Sequence, residues 1–116
     1  VETMALVLQG ALLVRHGVDV YFAGHDHILE LLRPRDGVQD VHAGAGGGPE
    51  NMGRVAWAED TLYAASGGGF VGGRVSRDEL VLEFVRLDGR PQFVHVLRKP
   101  APARTPAAPA STSAGD

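Results

Sequence analysis

The stretch from Leu80 to Leu97 limits the fold more than any other. Leu80, Leu82 and Phe84 alternate with Val81, Glu83 and Val85, and side chains two apart share one face of an extended chain. Asp88-Gly89 follows, a pair suited to the positive backbone angles of a tight hairpin turn. Beyond it, Phe93 and His95 alternate with Val94 and Val96. Alternating runs joined by such a turn predict antiparallel strands over Leu80–Leu87 and Gln92–Leu97. The unit Val75 to Arg98 therefore reads as an antiparallel meander; the run Phe70 to Val75 before it is interrupted by Gly72 and Gly73.

Val18 to Ala23 is almost continuously apolar, which predicts a strand covered on both faces. Before it, Met4, Val7, Leu8, Ala11 and Leu12 recur at three-four spacing, so Val1 to His16 reads as a helix with Gly17 as its left-handed stop. Helix, glycine turn and strand make one αβ unit, and the expected class is α/β. Ile28 to Arg33 is a strand or a short helix. Pro34 to Gly37 is a turn, and Val38 to Ala43 is a strand that pairs back on the previous one. Pro49 to Asp60 is polar and irregular, a surface excursion with Trp57 as its one large apolar anchor. Thr61 to Ser66 is a brief strand.

Composition narrows the function classes. The chain has 116 residues, enough for one small domain, and a net charge of −3. That charge offers no basic field to a phosphate backbone, so nucleic acid is not an expected partner. The absence of cysteine excludes disulfides and thiolate metal sites. No apolar run is long enough to span a bilayer, and no membrane partner is expected. Pro100 to Asp116 is mostly Pro, Ala, Ser and Thr with no apolar period. It cannot offset its ordering entropy and reads as a disordered tail.

The strand Val18–Ala23 runs into Gly24-His25-Asp26-His27. If the backbone stays near-extended, His25 and His27 face one side, and neutral imidazole is the commonest metal-donating side chain. Asp26 would point away, better placed to orient a ligand or touch substrate. Catalytic zinc takes about three protein ligands, so this pair is at most part of a centre; read alone, the tetrad could equally be a polar turn. His42, near the end of its strand, is a candidate third ligand or substrate contact, or a histidine bonded locally. His16 reads as a helix-terminal charge and His95 as structural. Gly44 to Gly48 is a flexible turn without the Lys and Ser/Thr of a phosphate-binding loop.

Gly24-His25-Asp26-His27, with the strand before it and Gly44-Ala45-Gly46-Gly47 after it, resembles the last signature block of the calcineurin-like metallophosphoesterases. It is most similar to their purple (tartrate-resistant) acid phosphatase-like branch. The resemblance runs from about Leu6 to Lys99. It implies that residues 1–99 are the carboxyl-terminal portion of a phosphoesterase domain, a β-sandwich flanked by helices, followed by the tail 100–116. It implies two divalent or trivalent metal ions (Fe, Zn or Mn) and a phosphate-ester substrate. His25 would ligate one ion and His27 the other, with Asp26 and His42 as possible contacts to substrate or ligands. The family's earlier blocks, Asp-x-His, Gly-Asp-x-x-Asp and Gly-Asn-His, are not found ahead of the tetrad. Asp40-Val41-His42 spells Asp-x-His but follows it. The expected partner is therefore the amino-terminal half of the same domain, and the isolated chain is expected to be inactive. The alternative is a non-enzymatic β-rich binding module that retains a partial metal site.

Overall fold

The computed structural model describes residues 10–47 and 54–100. Seven strands appear there: β1 (Val20–Ala23), β2 (Leu29–Leu32), β3 (Gln39–Ala43), β4 (Thr61–Ala65), β5 (Gly69–Val75), β6 (Glu79–Arg86) and β7 (Pro91–Arg98). They form a four-stranded sheet in the order β1-β3-β2-β4 and a three-stranded sheet in the order β5-β6-β7. Strand positions agree with the alternation and turn signals to within one or two residues. The predicted α/β balance does not hold: among the described residues the chain is mostly β, and helix is confined to residues 10–15. Gly17, at φ +64, ends that helix as expected. Residues 1–9, which carry Met4, Val7 and Leu8, lie outside the described residues, as does the tail from residue 101.

In the first sheet β1 runs parallel to β3, with Val20 opposite Gln39 and Ala23 opposite His42. β2 is antiparallel to both β3 and β4. Arg35 bridges Val38 across the β2–β3 turn. Asp36 (φ +51) and Gly37 (φ +83) both take positive angles there, as a tight hairpin turn needs and as Asp and Gly tolerate best. The second sheet contains the expected β6–β7 hairpin and adds β5 as a third strand, antiparallel to β6.

The two sheets meet on their apolar faces. Leu29, Leu31 and Val41 from the first and Leu82 and Phe84 from the second are all at most 1% exposed. Tyr63 of β4 stacks on Phe93 of β7 with centroids 5.0 Å apart, and Phe84 tilts against Tyr63 at 5.1 Å. Such pairs add to plain area burial. One polar tie crosses the same interface. Gln39, 1% exposed, donates its Nε2 to the Leu32 carbonyl (2.9 Å) and turns Oε1 to His95 Nε2 at 3.0 Å. Because Oε1 can only accept, the His95 proton sits on Nε2.

Two further expectations are corrected. β1 is not covered on both faces. Among the described residues it is an edge strand, and Phe22 is 51% exposed. Trp57 does not anchor its segment: it is 61% exposed, within a stretch, 54–58, without regular structure.

Candidate functional site

Strand order decides where the histidines gather. β1 and β3 are parallel, so their carboxyl ends lie together, and antiparallel β2 begins at that same end. β1 and β2 flank β3, so the segment Gly24–Ile28 that joins them must cross over the end of β3. Gly44 stands directly under the crossing. A Cβ there would overlap the Asp26 carbonyl oxygen and sit 3.0 Å from its carbonyl carbon. The Gly44 amide donates to the Ile28 carbonyl (3.1 Å), and the Ile28 amide donates to the Asp26 carbonyl (2.7 Å). Gly44 is thus a packed seat for the histidine segment, and the expected turn follows it over residues 45–47.

The crossing is bent, not extended. His25 takes φ +80, an angle uncommon outside glycine, and residues 25–28 form a continuous bend. Strand alternation therefore does not govern where the His25 and His27 rings point. The His25 side chain is 97% exposed, with Nδ1 3.5 Å from Asp26 Oδ1, a contact that stabilises little in open solvent. Asp26 thus lies beside His25 instead of facing away from it. His27 is half-buried.

His42 has a different partner. It sits directly opposite Glu30 in the β2–β3 ladder, and the two side chains meet at 2.7 Å between Nδ1 and Oε1. Both are largely shielded (27% and 14% exposed). Ala23 flanks the pair on the β1 side and Ala64 on the β4 side. With the Glu30 carboxylate accepting from Nδ1, the free acceptor of a neutral His42 ring is Nε2. Among the described residues, no three or more His, Asp or Glu side chains come together closely enough to hold a metal ion. His25, His27 and His42 therefore do not form a complete site by themselves.

A second glycine turn closes the same end. Gly67, Gly68 and Gly69 all have positive φ. Arg86, at the end of β6, donates Nε to the Gly68 carbonyl (3.2 Å) and Nη2 to the Ser66 carbonyl. The Gly69 amide then donates to the Ala45 carbonyl at 3.2 Å. Glu30 and Arg86 were not singled out by sequence, and Gly44 was read only as part of a glycine-rich turn. Pairing register is what gives them their neighbours, and only the glycine clusters at 44–48 and 67–69 hint at close backbone approach.

The described residues thus define a small, mostly β protein of two packed sheets. The same fold occurs in the solved structure of GAP50, the anchor in the inner membrane complex of Plasmodium, with a TM-score of 0.68 and 23% identity over 87% of this chain. The chain spans 31% of that protein's length. No protein-family model and no curated protein matches the chain. Among the described residues no helix is long and apolar enough to cross a membrane.

Proposed function

We propose that the chain is the carboxyl-terminal portion of a dinuclear metal-dependent phosphoesterase, contributing His25 and His27 to its metal centre, with the helix-flanked sandwich completed by residues beyond those described. The observation that carries this reading is the Gly24-His25-Asp26-His27 segment crossing the carboxyl ends of a parallel strand pair over a packed Gly44. Strand ends of this kind are where ligands collect in sheets with parallel strands. The donor set fits a shared centre: two imidazoles on one bend, one of them open to solvent, with no third donor gathered among the described residues. When bound, two metal ions would supply an activated water and stabilise charge at phosphorus. Here His25 and His27 would hold the ions in neutral form, so binding weakens on acidification. Asp26 would steady the His25 ring.

Replacing His25 or His27 by Ala in the full-length parent is expected to reduce metal content and turnover together. Normal turnover in both variants would remove the ligand assignment.

A second reading is a non-enzymatic binding module that keeps part of a metal site. The likeness to a protein named as an anchor favours it. A parent protein without any chelator-sensitive phosphoesterase activity would decide for this alternative.

A further inference from the structure

We infer that Arg86, on the second sheet, is the positioning residue for the His25–His27 bend on the first. The contacts run without a gap. The guanidinium holds the carbonyls of Ser66 and Gly68, which fixes the three-glycine turn. Gly67 leaves it room: a Cβ there would lie 2.6 Å from Nη2. The turn passes the constraint on through the Gly69 amide to the Ala45 carbonyl. Gly69 itself is closely packed: a Cβ there would overlap the Val85 carbonyl oxygen and lie 2.9 Å from Leu29 Cδ1, and Ala45 is 4% exposed. Gly44, next to Ala45, bonds Ile28 and lies against the Asp26 carbonyl, on whose oxygen the Ile28 amide also closes. Arginine suits this position because its planar group donates to two carbonyls at once, which a lysine ammonium on a flexible stem does not reproduce.

The use of the bend rests on the phosphoesterase reading, but its attachment to Arg86 does not. The test is the amide and imidazole NMR spectrum of the chain with Arg86→Lys and Arg86→Gln. Resonances of Gly68, Gly69, Ala45 and Gly44 should shift, and with them the Asp26 and Ile28 amides and the His25 and His27 rings. The amides of Val94 and Val96 on β7 should stay in place. Shifts confined to residues 66–69 in both variants would overturn the inference. Hydrogen exchange in the unaltered chain gives the same answer without any variant. The Gly69, Gly44 and Ile28 amides should open as one unit with equal protection, and unlinked opening would overturn it. In the parent titrated with zinc or manganese, Arg86→Lys should weaken metal binding by about 10-fold, the scale of lost support behind a ligand. Propagated shifts in a parent that binds no metal would uphold Arg86 and remove the phosphoesterase reading.

Discussion

At the scale of single residues, two positions carry consequences out of proportion to their size. Gly44 lies beneath the crossing segment with no space for a methyl group, whereas a Cβ at Gly47 would meet nothing within 4 Å. Gly44→Ala is expected to cost about 1–3 kcal/mol, as overpacking does, while Gly47→Ala stays near neutral. Urea midpoints of the two variants check this, and equal midpoints would contradict the packing described. His95 is the second. Burial lowers its pKa below the ordinary 6.5, so the folded state disfavours its protonated form. The unfolded chain takes up that proton first, and stability therefore falls as pH drops below about 6.5, until the folded value is passed. His95→Gln keeps a donor for Gln39 and removes the titration. Its urea midpoint should fall less between about pH 7 and about pH 5 than that of the unaltered chain; an unchanged slope would exclude His95 as a contributor.

At the scale of elements, the interface between the sheets holds the fold together. Phe84 is fully buried and contacts both Tyr63 and Phe93. Phe84→Ala is expected to destabilise by about 3–5 kcal/mol, the usual cost of emptying an aromatic site. Val75 is 82% exposed, and Val75→Ala should fall within about 0.5 kcal/mol of neutral. Thermal unfolding of the pair measures the contrast. The sequence already showed the β6–β7 hairpin, because strict alternation and Asp88-Gly89 admit few other structures. It did not show that β1 would be an edge strand: a nearly unbroken apolar run specifies burial only once its neighbours are known, and among the described residues β1 pairs with β3 alone and leaves Phe22 half-exposed.

At the scale of the whole molecule, the described residues present two imidazoles at one end of a two-sheet body and gather no closed set of metal donors. Hydrolysis of p-nitrophenyl phosphate by the isolated chain is accordingly expected to be absent, with or without added zinc or manganese. Turnover abolished by a chelator would show that the chain completes its own centre. The sequence by itself determined the strands, the turns between them and the four residues Gly24 to His27, since alternation, turn chemistry and motif identity are local properties of the chain. Only the tertiary structure decided what those residues touch. The crossing over β3 puts Gly44 under Asp26, register sets Glu30 against His42, and sheet packing brings Arg86 to the glycine turn; each contact depends on strand order and register, which no local pattern specifies.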